Sequence, residues 1–239
     1  MINGKAPGRI AAEVVQSSIV EAPADVTLHE LMEIINRNLR LIYEEYGILQ
    51  DIKENAWKAP TACLLCYSHF HREIWQIGDS QCMIDGYLYT NEKQIDEITA
   101  NARALFLEAE LKKGKTISEL LLHDTGWEYI KPLIQQQYYL QNDQENQFGF
   151  EVINGFDVDF SKVKVIKVSD QMKEIIFASD GYPVVKDTLE QTEAELDHLL
   201  QVDPFVFDNL NRPKDCKKVM FRLMIVHILN FILVRGCHS

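Results

Sequence analysis

Strand-like runs gathered on either side of a long helical block predict an α+β protein. Short apolar runs rich in β-branched residues lie at 61–67, 72–78 and 82–89, and again at 148–153, 162–168 and 173–178. Between them, residues 91–135 carry helical periodicity. The 239 residues show no internal repeat, no long linker and no break in composition. A single domain over 1–239 is therefore expected, with 219–239 set apart as an anomalous apolar tail.

Taken in order, Gly8–Ile19 reads as a short helix opening after Pro7-Gly8. Thr27-Leu-His-Glu30 is a capping box, with the hydroxyl and the carboxylate each placed to satisfy an N–H of the first turn. Leu28, Leu31, Met32, Ile35, Leu39 and Ile42 then recur at helical spacing to about Tyr46. The stretch 47–60 reads as a loop ending in Pro60, and three strand runs follow. Asp85-Gly86 interrupts the third as a turn or a bulge. Ile98, Ala102, Leu105, Phe106 and Ala109 mark an amphipathic helix that Gly114 ends, and Thr116-Ile-Ser-Glu119 caps the next. Gln141–Gln147 is polar and reads as a loop. Asn154-Gly155 and Ser169-Asp170 supply turns between the later strands. Thr192-x-x-Glu195 is read as the cap of a helix carrying Leu196, Leu199 and Leu200.

A formal charge of −12 argues against nucleic acid as a partner, because phosphate binding needs a basic surface. It equally disfavours anionic membranes. Val219–Val234 is nearly all apolar but contains Arg222, His227 and Asn230, so it reads as too short and too polar for a membrane span, with a membrane tether through this tail as a third, weaker reading. The first residues lack the apolar core of a secretory signal, and five cysteines fit a reducing compartment, so a cytoplasmic protein is expected. Cys63-Leu-Leu-Cys66 has redox or zinc spacing, but strand alternation turns the two thiols to opposite faces and no second pair follows. Both are read as ordinary strand cysteines.

Two stretches carry chemistry. Trp75-Gln-Ile-Gly-Asp-Ser-Gln81 and Glu174-Ile-Ile-Phe-Ala-Ser-Asp-Gly-Tyr182 are apolar runs that stop at an Asp beside a Gly. Each is expected to deliver one carboxylate to the end of a sheet, where the glycine lets a ligand or a second backbone approach closely. Asp79 and Asp180 are thus candidate ligands of a hard metal ion, with Gly78 and Gly181 lining the site. An Asp beside a Gly at a strand end is, taken alone, more often a turn residue. His69, His71 and His123 fall on no motif and read as solvated or structural. Asp157 and Asp159 read as a solvated turn.

The order and surroundings of the two motifs resemble the metal-dependent protein phosphatase 2C family, bacterial type. Gly78-Asp79-Ser80 resembles its Gly-Asp-Ser-Arg motif, and Phe177-Ala-Ser-Asp-Gly181 its Ala-Ser-Asp-Gly motif. Gly8-Arg-Ile-Ala-Ala-Glu13, Pro60-Thr61-Ala62 and Phe148–Gly155 are similar to flanking family segments. The resemblance implies a sandwich of two antiparallel β-sheets flanked by helices. It also implies Mn²⁺ or Mg²⁺ as cofactor and a phosphoprotein, as substrate or regulator, as partner. In such a family two ions activate a water for attack on phosphoserine or phosphothreonine. Asp180 matches a metal ligand, and Asp79 an Asp that helps hold a weaker additional ion. Ser80 and Ser179 are then strand-end hydrogen bonders, since water is the nucleophile.

The chain departs from that pattern in two places. The family also takes ligands from an acidic first strand and from an Asp-Gly just before the first helix, whereas no Asp or Glu precedes Glu13. It takes another from an acidic pair near the C-terminus, where this chain reads Met220-Phe-Arg-Leu-Met-Ile-Val-His227. With allowed codons, the bases for Val219–Asn230 read two bases later encode Asn-Val-Ser-Phe-Asp-Asp-Arg-Thr-Tyr-Ile-Lys, which holds such a pair. The tail is accordingly expected to be a frameshift product. Weak metal binding and impaired hydrolysis are expected, with a non-catalytic interaction module as the alternative.

Overall fold

The first helical turn of the second helix shows how closely local chemistry is followed. Thr27 Oγ1 accepts the Glu30 N–H at 3.3 Å, and Glu30 Oε2 accepts the Thr27 N–H at 2.9 Å. Both halves of the capping box are present, and the backbone hydrogen bond from Thr27 holds the Glu30 carboxyl below its ordinary range. The computed structural model describes residues 4–179 and 181–202, together with the main chain of 229–232. The fold is α+β, and the described chain falls into two compact units.

The first unit comprises Met1–Ser80 and Tyr138–Met172. It contains helices α1 (Pro7–Glu21), α2 (Leu28–Glu45) and α3 (Leu49–Glu54), and a 3₁₀ turn at Ala56–Lys58. Its strands are β1 (Leu64–Ser68), β2 (Glu73–Ile77) and β5 (Lys164–Lys167), antiparallel in the order β1-β2-β5. The stretch expected as a loop at 47–60 therefore holds a six-residue helix. It is too short to show a period, and it is anchored by Ile52, which is buried. The apolar stripes of α1 (Ala11, Val14, Val15) and α2 (Leu31, Met32, Ile35, Leu39) share one core with Leu64, Trp75 and Ile77 of the sheet. Period-3.6 and period-2 patterns thus meet in a single layer contact.

The same face of α2 carries three hydrogen-bond donors at successive turns. Asn36 Nδ2 donates to the Phe156 carbonyl at 2.9 Å, Arg40 Nη1 to that of Gly155 at 2.7 Å, and Tyr43 Oη to that of Asn154 at 2.9 Å. The segment 154–156 is clamped to the helix in this way. Gly155 sits at φ +89°, and a Cβ there would lie 2.9 Å from Tyr43 Cε2. Tyr43→Phe keeps the packing and removes one donor from a buried carbonyl. It is expected to cost about 1–2 kcal/mol in urea unfolding, and an unchanged midpoint would show that this hydrogen bond is dispensable.

Residues 148–153, expected as a strand, form only two isolated bridges, Ala62 with Ile153 and Gln141 with Phe150. Side chains have taken over the ladder. The Val152 N–H donates to Asn142 Oδ1 at 2.8 Å, and Asn142 Nδ2 donates to Asn154 Oδ1 at 3.1 Å.

The second unit comprises Gln81–Gln137 and the chain from Lys173 on. Its sheet holds β3 (Gln81–Ile84), β4 (Tyr87–Tyr89), β6 (Glu174–Ala178) and β7 (Leu229–Ile232), all antiparallel in the order β4-β3-β6-β7. Asp85-Gly86 is a turn, not a bulge: Ile84 pairs with Tyr87, and both central residues have positive φ, +47° and +81°. Asp85 Oδ1 also accepts the N–H groups of Lys173 and Glu174, both at 3.0 Å. Part of the expected apolar tail is thus the strand β7; the rest of 219–239 lies outside the described residues.

The helices of this unit are α4 (Gln94–Lys112), α5 (Ile117–Leu122), α6 (Thr125–Gln136) and α7 (Leu189–Val202). Thr116 and Glu119 form the expected capping box of α5. Asp124 does two things at once: Oδ1 accepts the Trp127 N–H to cap α6, and Oδ2 accepts from the Arg103 guanidinium of α4 at 2.8 Å. The two helices approach closely where Gly126 lies under Leu107. The cap of α7 is Thr188, not Thr192. Thr188 Oγ1 accepts the Gln191 N–H at 3.2 Å, while Thr192 is buried one turn further in and its hydroxyl bonds back to the Thr188 carbonyl. Among the described residues, no helix is long and apolar enough to cross a membrane.

Candidate functional site

Strand β2 carries Ile74, Trp75, Gln76 and Ile77, all buried, and ends at Gly78. Gly78 adopts φ +87°, a left-handed backbone, and a Cβ there would run into the Cys63 thiol and lie 2.8 Å from Cys63 Cβ. Glycine is therefore required both by conformation and by the close approach of the residue just before β1. The chain then turns and presents Asp79, half-buried, whose Oδ1 accepts from Cys63 Sγ at 3.3 Å. Gln76 braces the turn from inside, its amide donating to the Ser80 carbonyl. Asp79 thus stands two residues beyond the end of the buried strand β2.

Cys63 is exposed, whereas Cys66 is half-buried and packs against the apolar core, which pushes its thiol above the ordinary range. The two thiols of the Cys-x-x-Cys pair accordingly sit in different surroundings. At the start of β2, the Lys167 ammonium and then the Trp75 indole N–H hold the Glu73 carboxyl below its usual range.

Strand β6 likewise runs apolar and buried from Ile175 to Ala178. Asp180 lies outside the described residues. On its two sides, Ser179 Oγ accepts the Gly181 N–H at 3.3 Å, as expected for a strand-end hydrogen bonder. The turn is held by Gln81, buried at 1% exposure, whose amide donates to the carbonyls of Ser179 at 2.9 Å and Tyr182 at 2.6 Å. Tyr182 in turn is buried and donates its hydroxyl to Glu193 of α7. Sequence reading missed Gln81. The available signal was a polar residue directly after Asp-Ser, at the first position of a strand whose other residues are apolar.

His71 serves structure. His71 Nε2 lies 3.1 Å from the Asp25 carbonyl and 3.0 Å from that of Val26, tying the β1–β2 turn to the segment before α2. Asp159 closes a local turn, its Oδ1 accepting from Ser161 N and Oγ.

Mn²⁺ and Mg²⁺ take oxygen ligands, several of them anionic. Among the described residues, no group of three or more His, Cys, Asp or Glu side chains is placed to hold a metal ion. A carboxylate beside a thiol does not by itself fit a hard dication, so no chemical step is assigned through a metal at Asp79. No protein-family model matches the chain, and no curated protein matches it in sequence.

Proposed function

We propose that the chain is a protein phosphatase 2C-like domain whose hydrolytic activity is weak or lost. The observation that carries this reading is Asp79 at the end of β2, held there by a left-handed Gly78 packed on Cys63. It is supported by β6, which runs apolar and buried up to the second acidic motif. In that family, paired metal ions activate the attacking water. Asp180 and Asp79 are the family's ligand positions in this chain, and two carboxylates are few for balancing two dications.

The second reading is a non-catalytic module of the same fold that binds a phosphoprotein or a regulator. It is favoured by the surroundings of Asp79, where a thiol stands against the carboxylate. Calorimetric titration with Mn²⁺, run beside hydrolysis of p-nitrophenyl phosphate, separates the two. Weak Mn²⁺ binding with little or no hydrolysis is the result expected of the impaired phosphatase, whereas no Mn²⁺ binding at all favours the non-catalytic module. Metal-dependent hydrolysis that disappears in Asp180→Asn would overturn the claim of lost activity. Two tight sites would exclude the non-catalytic module.

A further inference from the structure

Glu151 is a carboxyl that no part of the proposed function uses, and it is only 4% exposed. Its Oε2 accepts the Asp159 N–H at 2.9 Å, closing the chain between 151 and 159 into a loop. Its Oε1 is buried and has no hydrogen-bond partner. An ionised carboxylate with one oxygen sealed from water and unpaired is a costly arrangement; the neutral acid is far cheaper to keep there.

The Asp159 N–H that Oε2 accepts is the main influence favouring the anion, and it offsets only part of that cost. Lys162 favours the anion, but its ammonium is shared with the Asp143 carbonyl at 3.3 Å. The Asp159 carboxylate opposes the anion and is itself engaged by Ser161. From α2, His29 stacks on Phe160 at 4.6 Å, and Arg40 is spent on the Gly155 carbonyl. Burial is the leading influence, and it raises the Glu151 carboxyl above the ordinary glutamate range.

We propose that the turn 156–162 is a proton-operated latch, closed on the neutral Glu151 carboxyl and opened when that carboxyl ionises. On opening, the proton passes to solvent, the Asp159 N–H···Oε2 bond breaks, and both carboxylate oxygens gain water. The sign follows from the buried acid. A group whose proton is held more tightly when the latch is closed favours closure below its ordinary range, about pH 4.3, and loses that contribution as pH rises through the elevated value. The clamp from Asn36, Arg40 and Tyr43 holds 154–156 in either state, so the motion is confined to the residues that follow.

Hydrogen exchange of the 156–162 amides on the full chain, corrected for intrinsic rates, tests the latch between pH 5 and pH 7.5. The Asp159 amide is expected to lose protection by about twofold or more over that range, because the closed latch holds a proton that the open one releases. Glu151→Gln is expected to abolish that dependence and to keep the protection high at both pH values. A ¹³C titration of the Glu151 carboxyl in the unaltered chain gives an independent reading, with a midpoint above the ordinary value. Protection that does not change with pH, a midpoint at or below about 4.3, or a pH dependence that survives Glu151→Gln would each overturn the proposal.

Discussion

Gly78→Ala lowers the thermal midpoint by about 4–24 °C. Two costs combine. A left-handed backbone strains any residue with a Cβ by about 1–3 kcal/mol, and the new methyl overlaps Cys63 for about 1–3 kcal/mol more. For a chain of this size each kcal/mol shifts the midpoint by about 2–4 °C. The two costs separate in a double mutant, because Cys63→Gly removes the obstacle and leaves the strain. Cys63→Gly combined with Gly78→Ala should regain at least about 1 kcal/mol relative to the sum of the single changes. A midpoint within a degree of the parent chain for Gly78→Ala alone would mean that β2 does not end as described.

Trp75→Ala removes the largest side chain in the core beneath that turn. The indole is buried at 2% exposure among Leu64, Ile77 and the α1 and α2 stripes, and truncation leaves a cavity that costs about 3–5 kcal/mol. The change also takes away the indole N–H that donates to Glu73 Oε2 at 2.7 Å. Trp75→Phe keeps most of the ring and loses that donor, so it should cost distinctly less than the alanine variant. Urea unfolding followed by circular dichroism measures both. Equal losses for Phe and Ala would show that the hydrogen bond, not the packing, carries the effect.

What could be read from the chain in advance was what nearby residues decide. Thr27 with Glu30 and Thr116 with Glu119 cap their helices because both partners lie within four residues of each other. Asp85-Gly86 turns the chain by its own backbone preferences. Where two local signals competed, the choice was open: Thr188-x-x-Gln191 caps α7, although Thr192-x-x-Glu195 looks equally suitable, because packing buries Thr192.

What stayed hidden was decided at long range. Asn142 and Asn154 dissolve the expected strand at 148–153 through contacts that no periodicity encodes. Asn36 lies on the apolar stripe of α2 and looks misplaced until the Phe156 carbonyl is set against it. At the candidate site the strand end at Asp79 was legible, since an apolar run stopping at Gly-Asp is a local pattern. Its Cys63 partner was not, because the thiol comes from the strand-side neighbour sixteen residues earlier.

The clamp on α2 has a consequence for how this chain can change length. Its donors stand at positions 36, 40 and 43, spaced along the axis by the fixed rise of about 1.5 Å per residue. They meet three consecutive carbonyls running the opposite way, 156, 155 and 154. The helix is in effect a ruler laid against an irregular segment. An inserted or deleted residue within 154–156 would slide every carbonyl off its mark. A segment without regular secondary structure is thereby held to a length as strictly as a paired strand.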